Sequence, residues 1–365
     1  RVADAIHALA TSRRATSASG LACTGSPTPR VALIISALHS GGAERVTITS
    51  ITENYVDMLL PDGPRVSRAG LRHHFDPHCT CPIGENGVAL LVEVEWDRYR
   101  YRALFDTGMT GKVLLHNADA LGVDLEAVDH LVVSHGHPDH YGGLAGLLAA
   151  REAALPISIH ADAFLPRYLR LASGEVAPFY NHDLTPAGIE EAGGRLLLHH
   201  APFEIGPGLI ATGAIPRVTP FEAPSTDITT PNALIQLREG AMAPDTVPDD
   251  QALVIEVGSD AIIVLVGCSH AGVVNSVRHA MEITGRSRVL GVFGGFHLGF
   301  PGIPEAKTAS TIEALRDIDV EVLCPMHCTG MRAMMEIQRA LPERFLLNCT
   351  GTRVWFDQRT AALEA

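Results

Sequence analysis

At 365 residues, 46% of them hydrophobic, the chain is long enough to bury one large core or two modest ones. A formal charge of −13 and the lack of any Lys or Arg run argue against a nucleic-acid partner, and leave small-molecule substrates, a compact phosphate ester included. The longest apolar stretches, "ALLVEV" and "AIIVLVG", have strand length and fall short of the roughly eighteen residues that span a bilayer, so no membrane partner is expected.

Residues 1–43, rich in Ala, Ser, Thr, Gly and Pro, read as a flexible N-terminal extension. "TSRRATSASGLAC" carries a twin arginine with no clean apolar stretch behind it, so a cytoplasmic protein is expected, with export by an N-terminal signal as the alternative. The 7 cysteines are odd in number and irregularly spaced, which fits a reducing compartment. Residues 44–356 read as the folded domain and 357–365 as a tail. "RVTITSIT" alternates like a strand, and 61–87 reads as a long loop whose His73, His74, His78, Cys79 and Cys81 match no zinc spacing. "VALLVEV" and "YRALFDTG" are strands, and "KVLLHNADALG" is a helix. "DHLVVSHGHPDHYGG" is a strand running into a loop, followed by the helix "GLAGLLAARE" and the strand "PISIHA". Residues 162–250 look irregular, with short strands and a lid-like insertion. Beyond them "QALVIEVG" and "AIIVLVGCSH" form a hairpin, followed by the helix "AGVVNSVRHAMEITG". Then "RVLGVFGGFHLG" and "VEVLCPMHCTG" are strands ending in loops, each followed by a helix. Strands followed by helices predict an α/β chain with both sheet faces covered.

The chemistry sits where strands end. "VVSHGHPDH", "LVGCSH", "GGFHLG" and "LCPMHCTG" each carry histidine just past an apolar strand, so their loops are expected to meet at one sheet edge. His135 and His137 are two apart and project to one side of extended backbone, suited to one ion. Asp139 and His140 follow a Pro-initiated turn and can face a second ion nearby. His270 and His327 can converge on them. Imidazole with carboxylate suits zinc, and also manganese or iron. His116, His130, His199 and His200 default to structural roles.

"SHGHPDHYGG" resembles the signature of the metallo-β-lactamase superfamily, and "ALFDTG" resembles its preceding strand, with Asp106 supporting the metal loop. "ITENYVDMLLP", "GENGVALLVEV", "DDQALVIEV", "VGCSHAGVVN", "FGGFHLG" and "PMHCTG" further resemble one branch, the 7,8-dihydropterin-6-methyl-4-(β-D-ribofuranosyl)aminobenzene-5′-phosphate synthase-like proteins, over about residues 45–356. The resemblance implies a four-layer αββα sandwich with the metal site at one edge of two sheets. It implies His135 and His137 for one metal, Asp139 and His140 for the other, and His327 as the last motif's ligand. Two departures stand out. No "GHTPG"-like segment supplies a third histidine before residue 250, and "GCSH" replaces the usual late bridging aspartate. His270 is the first choice for the missing ligand and Cys268 the second, while His297 is a candidate to face the substrate.

The expected function is a dinuclear hydrolase holding two Zn2+, or alternatively Mn2+ or Fe2+. Metal-activated water would attack an ester, lactone, amide or phosphoester, with Asp139 orienting the nucleophile. The alternatives are the branch's synthase activity, in which a pterin diphosphate condenses with an aminobenzene ribotide, a non-catalytic metal or ligand sensor, and a di-iron oxidoreductase.

Overall fold

Successive apolar residues on the long strands face different layers. In Ala261–Val266, Ile263 and Leu265 pack with Ile48, Leu90, Val92 and Phe105 of a second sheet. Their neighbours Ile262, Val264 and Val266 pack outward against helical Val274, Val277, Ile312 and Ile337. The opposite outer face buries Leu91, Leu104, Leu131 and Ile157 under Leu114, Leu144 and Leu147. The period of two along a strand thus feeds three apolar layers, between sheet and sheet and between each sheet and its helices. The result is the expected αββα sandwich. The computed structural model describes residues 42–357 except 97–98, 180–183 and 301–302. Residues 1–41 of the N-terminal extension and 358–365 of the tail lie outside the described residues, while Gly42 and Ala43 donate to the Gly258 and Glu256 carbonyls at 2.6 and 2.7 Å.

Among the described residues, one sheet has eight strands in the order Val66–Ser67, Arg353–Asp357, Arg45–Thr52, Ala89–Trp96, Tyr99–Phe105, His130–Val132, Leu155–His160, Gly194–His199. The other has six, in the order Phe203–Gly206, Leu209–Ala211, Ala252–Val257, Ala261–Val266, Arg288–Gly295, Val322–Met326. Their parallel stretches position the site. Tyr99–Phe105 runs parallel to His130–Val132, and Ala261–Val266, Arg288–Gly295 and Val322–Met326 run parallel to one another. Parallel strands end together, so Asp106, the 134–140 loop, Cys268, His297 and His327 emerge at neighbouring strand ends.

Residues 162–250 are more regular than their sequence suggests. Gly194–His199 extends the first sheet, and Phe203–Gly206 and Leu209–Ala211 extend the second. Leu234–Arg238, Ala241–Pro244, Arg167–Arg170 and Val176–Pro178 form a separate four-stranded sheet. These strands are three to six residues long, too short for a periodic signal. Within 61–87, only Val66–Ser67 and the short helix Arg72–Phe75 are regular.

Helix ends follow their local chemistry. Thr110 caps Gly111–Ala120 by accepting from the Val113 N–H at 3.3 Å. Val273–Thr284 begins on the Glu222 carboxylate, which accepts from Val274 and Asn275 N–H at 2.9 Å each, and it stops at Gly285 in the left-handed region.

Candidate metal centre

The strand His130–Val132 leads into a turn, and the short helix Pro138–Tyr141 starts on Pro138 with His137 at its N-cap. This geometry separates the ligand-type residues into two groups. His135 and His137 meet His270, and the three ligand atoms lie within 4.8 Å of one another. Asp139 and His140 meet Cys268 and His327 within the same limit. The groups adjoin, since the His135 and His140 ring centroids are 4.2 Å apart. In the second group, His140 Nε2 lies 3.1 Å from Cys268 Sγ, and His327 Nε2 lies 3.1 Å from Asp139 Oδ2.

The neighbours fix which nitrogen of each ring faces inward. Asp106 Oδ1 accepts from Ser134 N–H at 2.6 Å, and Oδ2 accepts from the Ser134 hydroxyl at 2.7 Å and from His140 Nδ1 at 2.6 Å. With its hydroxyl hydrogen spent on Asp106, Ser134 accepts from His135 Nδ1 at 2.9 Å. Asn54 Oδ1 accepts from His327 Nδ1 at 3.1 Å, and Glu53 Oε1 accepts from the His327 backbone N–H at 2.7 Å. His135, His140 and His327 therefore hold hydrogen on Nδ1 and turn the Nε2 lone pair toward the centre, the tautomer a metal requires.

His135, His137 and His270 each bury an Nε2 with no hydrogen-bond partner. Three buried imidazole nitrogens converging without partners are costly unless something fills the space between them. A divalent cation fits that donor set, and the Asp, His, Cys, His group offers the N, O and S donors of a zinc site.

Charge supports this division. Burial holds the His135 and His270 pKa values well below the ordinary range, helped by neighbouring histidines, and holds His137 at about 3. These three rings stay neutral, with lone pairs available. At His140, burial also opposes a charge, but Asp139 and Asp106 outweigh it and lift the pKa to about 9, so without an ion the ring also holds a proton on Nε2, which a bound metal would displace. Asp139 is likewise opposed by burial, and His140 and His327 hold it below the usual carboxylate range. The backbone is strained here: Asp106, Ser269, His297 and His327, none of them glycine, have φ of 61°, 55°, 51° and 52°. Left-handed non-glycine residues grouped at one site mark places where side-chain aim outweighs local comfort.

Every metal-site residue expected from sequence reaches this edge. His270 and Cys268 were read as alternatives for one position, and the structure places His270 in the three-histidine group and Cys268 in the other. His297 stands beside both groups. Its ring centroid is 4.3 Å from His270 and 4.5 Å from Phe300, and its ligand atom lies within 4.8 Å of those of Cys268 and His270. Sequence reasoning assigned no role to Glu53, Asn54, Ser134, Arg167 or Asp249. The first two lie in "ITENYVDMLLP", a segment that carried the branch resemblance, and in "TEN", a polar run closing an apolar strand, but neither signal gave them a role. His200, expected to be structural, pairs with His160 Nε2 at 3.2 Å, and Asp162 lies close by. His160 Nδ1 accepts from the Asp162 N–H at 3.1 Å, so its inward nitrogen carries hydrogen and the pair is satisfied without an ion. Residues 73–81 form no metal-type group among the described residues.

The fold is a four-layer sandwich with a candidate metal centre at its strand ends, and comparison with known proteins shows the family of enzymes it belongs to. The model of the metallo-β-lactamase superfamily matches residues 85–214. The chain is 32% identical over 263 residues to the 7,8-dihydropterin-6-methyl-4-(β-D-ribofuranosyl)-aminobenzene-5′-phosphate synthase of Methanocaldococcus jannaschii, covering 72% of this chain and 86% of that protein. It is 26% identical to an uncharacterised protein of the same organism, over 70% of this chain and 89% of the relative. A solved metal-dependent hydrolase of the β-lactamase superfamily superposes with a TM-score of 0.62 at 22% identity, covering 86% of this chain and 99% of that one. The chain belongs to the metallo-β-lactamase superfamily, in the branch of the dihydropterin-ribofuranosylaminobenzene phosphate synthase-like proteins.

Proposed function

We propose that the protein is a metal-dependent hydrolase holding two divalent ions, zinc foremost with manganese or iron(II) as alternatives, and acting on a small ester, lactone, amide or phosphoester. The observation that carries this reading is the pair of adjoining ligand groups, one of three buried histidines with unpartnered Nε2 atoms and one of Asp139, His140, Cys268 and His327. Bound there, such ions supply Lewis acidity and lower the pKa of water toward neutrality. The protein's own part is positioning and proton handling. Asp139 directs one oxygen to His327 at 3.1 Å and the other to His140 at 3.8 Å, which leaves a carboxylate at the boundary of the groups to orient a nucleophile and take its proton. His297, half-buried beside both groups, is placed to donate a hydrogen bond to substrate. Cys81, Cys268, Cys324, Cys328 and Cys349 are free thiols, which suits a cytoplasmic protein. Among the described residues, no helix is long and apolar enough to cross a membrane.

The 32% identity to a synthase favours a second reading, a transferase of the kind named for that relative. Metal-loaded protein assayed on phosphodiester, lactone and β-lactam substrates separates the two. Metal-dependent cleavage of one class supports the hydrolase. A fully loaded protein that cleaves none, yet forms the dihydropterin product, supports the synthase.

A further inference from the structure

Among the described residues, Arg167 is the largest fully buried side chain. It opens the strand Arg167–Arg170 of the separate four-stranded sheet. Its Nε donates to Asp245 Oδ2 at 2.7 Å, and its Nη2 donates to Asp249 Oδ1. Asp249 spends its other oxygen on the metal loop, where Oδ2 accepts from the Gly136 N–H at 2.7 Å. Gly136 lies between His135 and His137, and it leaves no room for a side chain. A Cβ there would sit 2.3 Å from the Ala163 carbonyl oxygen and 2.6 Å from Arg167 Nη1. The Arg167 carbonyl meanwhile accepts from the Phe179 N–H at 2.8 Å, and the Phe179 ring meets His137 edge-on at 5.3 Å.

We propose that Arg167, acting through Asp249 and the Gly136 N–H, is the positioning residue for the three-histidine half of the centre, so that the four-stranded sheet sets the aim of His135 and His137. This inference rests on the two-ion reading above. A buried pair of this kind adds little net stability against an apolar replacement, so holding the loop gives it a use.

The test is Asp249→Asn, with Asp245→Asn as its matched control. Each puts an amide where two N–H donors need two acceptors, so each strains the same guanidinium, but only Asp249 reaches Gly136. Cobalt(II) is titrated into metal-free protein, reading total bound metal by elemental analysis and the cobalt–thiolate absorption that reports Cys268. Thermal unfolding of the metal-free forms is measured alongside. In Asp249→Asn, affinity at the three-histidine half should fall about 10- to 100-fold, the size typical of a lost partner behind a metal ligand, with the thiolate absorption kept. Asp245→Asn should hold both ions within about threefold of wild type. Two ions bound as in wild type by Asp249→Asn would overturn the proposal. So would equal metal loss in both variants tracking equal loss of thermal stability, which is a merely structural role. If Asp249→Asn does not fold, Arg167→Lys, which keeps the charge but loses the fork, is read against the same two outcomes. A wild-type protein that takes up one ion or none contradicts the two-ion reading instead.

Discussion

Asp106→Asn isolates what the residue behind His140 does. Asparagine keeps the volume and tolerates the left-handed backbone at φ 61°, so the fold is spared and the change is one of hydrogen-bond polarity. The native carboxylate takes three donors, Ser134 N–H on Oδ1, and the Ser134 hydroxyl and His140 Nδ1–H on Oδ2. An amide has one oxygen. If that oxygen stays on Ser134 N–H, the NH2 stands where Oδ2 was and faces His140 Nδ1. His140 must then carry its hydrogen on Nε2, the atom 3.1 Å from Cys268 Sγ, and the lone pair is lost to the centre. If the amide turns over, Ser134 N–H is left buried and unpaired. Either way the second ion should bind about 10- to 100-fold more weakly, roughly 1.4–2.7 kcal/mol. The assay is competition with a chelator of known affinity, read at the cobalt–thiolate absorption for the Cys268 half and by total metal for both. The three-histidine half should stay within about fivefold of wild type. Unchanged affinity at the Cys268 half, with the protein folded, would refute the argument that Asp106 sets the His140 tautomer.

His270→Ala should remove the three-histidine ion and keep the thiolate absorption, whereas Cys268→Ser should abolish the absorption and keep the other ion; elemental analysis with the same spectra checks both. Asp139→Asn should retain at least one ion and leave KM roughly intact, while kcat falls about 100-fold or more. Near-normal kcat in that fully loaded variant would make the carboxylate a spectator. Burial pushes the Asp250 carboxyl from 3.8 up to about 7, against the opposing Ala271 N–H and Arg217. A raised pKa means that the folded chain holds the proton more tightly. That contribution is fully present below about pH 4 and is lost as pH rises through about 7. Metal-free wild type should therefore lose roughly 3 kcal/mol between pH 5 and pH 8 that Asp250→Asn does not lose. Urea unfolding at the two pH values measures this, and parallel profiles would contradict it.

The four-layer sandwich and the first ligand set were legible because their signals are contiguous. Strand periodicity is local, and "SHGHPDH" packs four donors into seven residues. Cys268 and His270, read as alternatives, fall in different groups for a physical reason. Residues two apart on extended backbone share a side, but Ser269 at φ 55° turns the chain, and each side chain reaches a different half. The residues behind the ligands left no such trace. Glu53 meets the His327 backbone across 274 positions, and Asp249 meets Gly136 across 113. Only the assembled strand ends bring them together, and a single polar residue at the end of a strand looks like any solvated one. The short strands of 162–250 were missed because three to six residues carry too little pattern to separate strand from loop.

The central claim is that two adjoining ligand groups hold two ions. Metal analysis of the purified protein, joined to anomalous diffraction at the metal edges from crystals of the loaded chain, tests it most directly. Two peaks per chain are expected, one among the Nε2 atoms of His135, His137 and His270, the other among Asp139, His140, Cys268 and His327. A single peak shared by both groups, or a loaded crystal with no peak at either, would contradict it.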